Sequence, residues 1–352
     1  MIFRRRWAPS LLFAQGTPMN AVFILASVVF TTSLRVLDAS AQVKGIDSIA
    51  ITVADMDRSV AFYSDVLTFE KVSDHPVAGV AWEHLEGVDK SRLRVVRLRL
   101  GDEALELMQH LTPQGRPIPR DAQSNDRCFQ HVAIVVSDMG QAYLRLKQRR
   151  VESVSPAPQR LPAWNPEAGG IRAFYFKDPD GHPLEILQFP PDKGDPKWQR
   201  ITGRLFLGID HTAIVVGDTE KSLVFYQDEL GLRLAGMSEN YGAEQERLSG
   251  VPGAHVRITT SRAPSGPGAE LLEYLVPRDG RPFPADARSN DLVHWQVRVV
   301  AMSPDDVLDR LNSRQSPVVS PAVVDIPNAP LGFNEGVLIR DPDGHCVEVV
   351  DR

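Results

Sequence analysis

Two glutamates stand where a β-rich sequence has little reason to place a charge. Glu185 closes the run Tyr175-Phe176-Lys177-Asp178-Pro179-Asp180-Gly181-His182-Pro183-Leu184-Glu185, and Glu348 closes the nearly identical Leu338-Ile339-Arg340-Asp341-Pro342-Asp343-Gly344-His345-Cys346-Val347-Glu348. In each, a β run meets an Asp-Pro-Asp-Gly turn, and a second β run sets a carboxylate among apolar neighbours. The turn alone is no more than a hairpin connector. The carboxylate is the clue to chemistry, because a charge set among apolar side chains needs partners.

Those partners depend on the elements around them, and the chain repeats itself. GIDSIAITVADMDRSVAFYSDVLTF from Gly45 returns as GIDHTAIVVGDTEKSLVFYQDELGL from Gly208, and GRPIPRDAQSND (115–126) returns as GRPFPADARSND (280–291). The opening glycine and the Asp-Pro-Asp-Gly turn both recur at an offset of 163 residues, which makes two homologous halves. Each half divides again. The apolar strand at His131 echoes the one at Ser48, and the strand at His294 echoes the one at His211, with a spacing of 83 in both halves. Four modules follow, each read as a strand, a helix and several further strands. His211 to Val216 is β-branched and apolar on both faces, as in a covered strand. Asp218 is placed to cap the next helix, with Leu223, Tyr226 and Leu230 on one side and Gly231 as its stop. Ser303-Pro304 supplies an N-cap followed by proline at the first helical position. The turn-rich stretch Pro190 to Pro196 separates the halves.

The 352 residues are 43% hydrophobic and 24% charged, enough for two cores. A net charge of -6 and a pI near 5.9, with no basic run beyond Arg4-Arg5-Arg6, argue against nucleic acid as a partner and leave a small molecule. Cys128 and Cys346 occupy unlike places in the repeat, so no disulfide framework is implied. Residues 1–41 read as a signal peptide: Arg4–Arg6 as the positive region, Ala21 to Leu34 as the apolar region, and Ala39-Ser40-Ala41 as the cleavage signal before Gln42. The apolar run is short for a membrane span, so the mature chain is expected to be periplasmic or secreted, without stable membrane insertion. Met19 is an alternative start, and a homo-oligomer is compatible with the sequence.

A β-α-β-β-β unit, doubled per domain, with His on a first strand and Glu on a last, resembles the vicinal oxygen chelate superfamily. That group includes glyoxalase I, methylmalonyl-CoA epimerase, extradiol dioxygenases and bleomycin and fosfomycin resistance proteins. The motifs are Gly208-Ile209-Asp210-His211, Ala269-Glu270-Leu271-Leu272-Glu273-Tyr274 and the two Asp-Pro-Asp-Gly-His…Glu endings. The resemblance implies an α+β fold of four tandem βαβββ modules forming two incomplete barrels. It implies a first domain over 42–190, a linker over 191–204 and a second domain over 205–352.

Carried over residue by residue, the resemblance gives the second half His211, Glu270, His294 and Glu348 as ligands of one divalent ion, of the Zn, Ni, Co, Mn or Fe(II) kind. Glu273 competes with Glu270, but an odd separation lets only one of them face the interior. The first half offers Ser48, Glu106, His131 and Glu185. A hydroxyl is a poor ligand, so this site is expected to be degenerate, with Glu106 held by Arg97 or Arg99. The implied chemistry is that of an isomerase or lyase. The ion steadies an oxyanion, and a loosely bound Glu270 or Glu348 moves a proton at the adjacent carbon. Tyr274 and Trp295 are pocket-lining candidates. One rival is an extradiol dioxygenase using His211, His294, Glu348 and Fe(II), with His255 and His345 as further candidates. Another is a non-catalytic binding or resistance protein. Export argues against carrying over CoA-thioester or glutathione-adduct substrates.

Overall fold

The computed structural model describes residues 43–313, 316–326 and 330–352. The signal-peptide expectation for 1–41 therefore lies outside the described residues. Among those residues, no helix is long and apolar enough to cross a membrane.

The four expected modules are present. The first comprises β1 (Val43–Thr52), α1 (Met56–Asp65), β2 (Glu70–Ala78), α2 (Val80–Glu86), β3 (Arg92–Leu100) and β4 (Glu103–Thr112). The second comprises β5 (Gln130–Val136), α3 (Met139–Gln148), β6 (Gln159–Arg160), β7 (Arg172–Lys177) and β8 (Pro183–Gln188). After α4 (Lys197–Arg200), the third has β9 (Phe206–Val215), α5 (Thr219–Leu223), β10 (Arg233–Tyr241), α6 (Ala243–Ser249), β11 (His255–Arg262) and β12 (Gly268–Val276). The fourth has β13 (Trp295–Ala301), α7 (Pro304–Ser313), β14 (Val324–Asp325), β15 (Glu335–Arg340) and β16 (Cys346–Asp351).

Local chemistry sets the helix starts. Asp55, Asp138 and Asp218 each turn a carboxylate onto backbone N–H groups of the first turn, and Ser303 Oγ accepts from the Asp306 N–H at 3.1 Å. The helix begun at Asp218 is α-helical for five residues only. It continues as a π-helix over Val224–Glu229, which buries both Phe225 and Tyr226.

The modules do not pair in the order in which they occur. Sheet one runs β14-β15-β16-β13-β1-β4-β3-β2 and sheet two runs β10-β11-β12-β9-β5-β8-β7-β6. The first module thus shares a sheet with the fourth, and the second with the third, joined by the antiparallel seams β1–β13 and β5–β9. Domains over 42–190 and 205–352, each closing its own barrel, are not what the strands build. The physical reason lies in the two arms repeated as GRP…SND. Arg116 donates from its guanidinium and backbone N–H to Asp291, Arg281 does the same to Asp126, and each arm's backbone bonds to the other. These reciprocal clasps hold the crossing segments that carry the chain between sheets.

Two core clusters join residues of both sheets: in one, Met56 and Tyr63 of α1 and Met139, Ala142 and Leu146 of α3 pack on strand residues such as Ile49, Val132 and Phe174, and in the other Phe225, Tyr226, Val307 and Leu311 pack on Ile46, Ile214 and Val299. The concave side of sheet one is filled by Trp82, Leu85, Phe333, Leu338 and their neighbours. That of sheet two is left partly open.

Candidate metal centre

The centre of sheet two is built on two rungs of strand pairing. Ala213 of β9 pairs with Glu270 of β12 on one side and His131 of β5 on the other. Two residues along, Ala133 of β5 pairs with His211 of β9 and Glu185 of β8. Residues on a rung face the same way, as do residues two apart on a strand, so all four functional side chains rise from one face. The two alanines between them leave the middle clear.

The donors converge. His131 Nε2 lies 3.1 Å from Glu185 Oε2, and His211 Nε2 lies 3.6 Å from the same oxygen and 3.3 Å from Glu270 Oε2. Ligand atoms of His131, Glu185 and His211 all fall within 4.8 Å of one another. Bonds of about 2.1 Å to one ion would set neighbouring donors ~3.0–3.5 Å apart, so the spacing suits such an ion. Nδ1 of buried His131 lacks a hydrogen-bond partner, and its Nε2 faces the Glu185 carboxylate. Glu270 stands outside the group of His131, Glu185 and His211, beside His211; two imidazoles and Glu185, with Glu270 as a fourth donor nearby, suit Zn, Ni, Co, Mn or Fe(II).

Electrostatics follow from burial and proximity. Burial opposes a charge on Glu185, but His131 and His211 outweigh it and hold its pKa at about 2. For His211, burial disfavours the charged ring, yet Glu270, Asp210 and Glu185 raise its pKa well above the usual imidazole range. The four donors open onto a cavity of about 550 Å³, walled by Tyr175, Met237, Gln245 and Leu272 and by residues of the connection between β6 and β7.

This set differs from the one carried over from the resemblance. His211 and Glu270 share one face, but His294 and Glu348 belong to sheet one, and the places beside His211 are taken by His131 and Glu185 from the half expected to be degenerate. The spacing of 83 misaligned the fourth module. The GRP…SND block repeats at an offset of 165, so Gln296, which pairs with Ala50, matches His131. His294 matches Phe129 instead. It donates from Nε2 to Gln296 Oε1 at 3.0 Å, and burial lowers its pKa to about 3.

In sheet one the equivalent rungs read Glu106–Ala50–Gln296 and Ser48–Arg298–Glu348. Arg298 replaces the central alanine, and its guanidinium fills the middle. Nη1 donates to Glu106 Oε1 at 2.5 Å, Nε donates to Glu348 Oε2 at 2.6 Å, and the Phe333 ring lies 4.9 Å away. Arg97 also holds Glu106, at 2.7 Å, whereas Arg99 pairs with Glu70. Glu348 is thus tied to a guanidinium and is no proton carrier for the open cavity. The triad His211, His294 and Glu348 is likewise split between sheets.

Glu273 faces away from the centre and accepts from the Thr219 backbone and hydroxyl at the start of α5. Tyr274 is buried in the packed wall with Leu248 and Val256, and Trp295 sits edge-on to His182 at 5.5 Å. His255 pairs with Glu239 at 2.7 Å, and His345 is absorbed by the Asp341 carboxylate of its own turn. Sequence reasoning missed Tyr175, whose ring centroid is 4.9 Å from that of His131, and Asp210, visible only as the neighbour of His211 in Gly-Ile-Asp-His.

Two half-barrel sheets of βαβββ modules with a His/Glu cluster on one concave face define a class. The chain belongs to the Glyoxalase/Bleomycin resistance protein/Dioxygenase superfamily, whose model matches residues 45–186 and 208–349. A 2-epi-5-epi-valiolone epimerase from Actinomyces sp is 32% identical over 165 residues, which cover 45% of this chain and 85% of that protein. Glyoxalase I from Zea mays shares the fold at 17% identity, with a TM-score of 0.53, 87% of this chain and 92% of that one covered. A putative dioxygenase from Bacillus subtilis does so at 16% identity and a TM-score of 0.52, with 88% and 86% covered.

Proposed function

We propose that this chain is a metal-dependent isomerase of the epimerase kind, moving a proton at a carbon next to a carbonyl of a small oxygen-rich substrate. The convergence of His131, Glu185, His211 and Glu270 at one wall of an open cavity carries the reading, and the relative named as an epimerase supports it. A divalent ion held by these four would lower the cost of the negative charge that develops on the carbonyl oxygen as the neighbouring proton leaves.

The chain's own groups divide the remaining work. Glu185 is enclosed by both imidazoles, while Glu270 is the more open carboxylate, with 18% of its side chain exposed. Thr260 Oγ1 donates to Glu270 Oε1 at 2.8 Å and steadies it, so Glu270 is the base that accepts the proton. Tyr175 is kept a neutral phenol by burial and by the nearby Glu185 charge, and can donate to a substrate oxygen. Exchange of substrate C–H for solvent deuterium, followed by NMR on metal-loaded protein with small hydroxy-ketones, tests the reading. Glu270→Gln is expected to lower the rate ~10²–10⁴-fold while metal stays bound. An unchanged rate would remove Glu270 from the chemistry.

One observation favours a second reading. The tightest cluster, His131, His211 and Glu185, is a two-histidine, one-carboxylate set of the sort that serves Fe(II) oxygenases. Oxygen consumption coupled to catechol cleavage by the iron-loaded protein would select it over proton transfer. We also propose export, with a mature chain starting near Gln42. The pattern Arg4–Arg6, Ala21 to Leu34 and Ala39-Ser40-Ala41 supports this, and N-terminal sequencing of the protein recovered outside the cytoplasm tests it.

A further inference from the structure

Of the two imidazoles at the centre, one is aimed and the other is not. His131 has no partner at Nδ1, so nothing behind the ring orients it, and its Nε2 meets Glu185 at 3.1 Å. His211 donates from Nδ1 to Oδ2 of Asp210 at 2.9 Å, which directs Nε2 toward Glu185 and Glu270. Neighbours on a regular strand point to opposite faces, and Asp210 can reach the ring because β9 is irregular there. Ala133 pairs with His211 and Ile134 with Ile209, so Asp210 is the extra residue of a β-bulge, a device that re-aims side chains.

The carboxylate is itself held. The Trp198 indole N–H donates to Asp210 Oδ1 at 3.2 Å, and Arg262 Nη2 donates to Oδ2 at 3.0 Å and to Oδ1 at 3.2 Å. Trp198 is 5% exposed and stands on α4, within the stretch 191–204 that the sequence suggests is only a linker. Sheet one supplies an internal control. Asp47 is skipped by the pairing of β1 in the same manner, but the next residue is Ser48, without a ring, and the carboxylate turns to Arg97 instead, at 2.7 and 3.1 Å.

We propose that Asp210, clamped by Trp198 and Arg262, is the positioning residue of the centre: it fixes the His211 ring with Nε2 toward the cavity and so sets the affinity for the ion. This rests on the reading that His131, Glu185, His211 and Glu270 hold a metal. The connection between the two halves thereby becomes a working part of the site.

The test is zinc affinity of the apo-protein, measured by competition with a chromophoric chelator, together with the long-range ¹H–¹⁵N spectrum of the zinc-loaded protein. Asp210→Ala is expected to weaken binding ~10–100-fold, with Trp198→Phe giving a smaller loss in the same direction. In the wild type, His211 is expected to carry its proton on Nδ1 and the zinc on Nε2, and in Asp210→Ala to lose that single arrangement. If His131→Ala abolishes zinc binding while Asp210→Ala stays within about twofold of wild type and His211 keeps its arrangement, the positioning role is overturned and the metal centre survives. If wild type binds no zinc, or His131→Ala binds as tightly as wild type, the metal reading itself fails. Should Asp210→Ala not fold, Trp198→Phe decides, since unchanged affinity in that variant overturns the clamp.

Discussion

The middle residue of one rung decides whether each centre is open: Ala133 in sheet two and Arg298 in sheet one. An alanine leaves room for an ion, whereas an arginine brings its own charge, and Glu106 and Glu348 close on it. The neutralisation is incomplete. Ser48 Oγ, Glu86 Oε2, Glu106 Oε2 and Glu348 Oε1 are all buried without partners. Burial and the neighbouring Glu348 push the Glu86 pKa up to about 8 against the relief given by Arg298. The folded chain then keeps the Glu86 proton to about pH 8, while the unfolded chain releases it near its ordinary value of 4.5. Stability from this group is full below that ordinary value and is lost as pH rises through the folded one, by at most ~1.4 kcal/mol per pH unit. Glu86→Gln should remove that slope, becoming the more stable protein at pH 9 relative to its difference from wild type at pH 5. Urea titrations at the two pH values check it, and parallel curves would show that Glu86 is ionised in the fold. At this scale the sequence revealed much. The weak donor Ser48 and the holding of Glu106 by Arg97 were readable, because hydroxyl and guanidinium chemistry do not depend on topology. The place of Arg298 was not readable, since a strand arginine gives no sign of which rung it will occupy.

Strands, caps and turns were legible because their signals are local. Asp218 and Ser303 cap where their spacing says, and the Asp-Pro-Asp-Gly turns form as their residues dictate. The partner of each module was not legible. Two homologous halves offer equivalent apolar edges, and alternation along a strand satisfies either pairing equally well. The choice belongs with the arms, whose sequence looked like a mere repeat. In each clasp the arginine is about half exposed, so the ion pair itself adds little. The aspartate contributes more through the backbone, since Asp126 accepts from the N–H groups of Gln123 and Arg281 while itself 3% exposed. Asp126→Ala leaves those donors without an acceptor and is expected to cost about 1–3 kcal/mol in denaturant unfolding. A loss below a few tenths of a kcal/mol would place the pairing choice elsewhere in the chain.

The whole molecule carries one idea twice, once open and once sealed. Both sheets present two rungs, a bulge aspartate and carboxylates on the parallel neighbour strands, and they differ at three central positions. Ser48 stands for His211, Gln296 for His131, and Arg298 for Ala133. If the divergence is confined to those positions, restoring them should restore the function of the site. The variant Ser48→His, Gln296→His, Arg298→Ala keeps Glu106 and Glu348 and adds the two missing imidazoles. Removing Arg298 leaves the buried Glu348 carboxylate without a cation and Glu106 with Arg97 alone, a loss expected to cost about 3–5 kcal/mol, so the triple variant should fold poorly without metal and recover with it. Zinc stoichiometry of the recovered protein should rise from one to two ions per chain, and its thermal midpoint should climb with zinc far more than that of wild type. Retention of a single ion by a folded triple variant would mean that Phe333 and the packed interior of sheet one, rather than Arg298, keep that half closed.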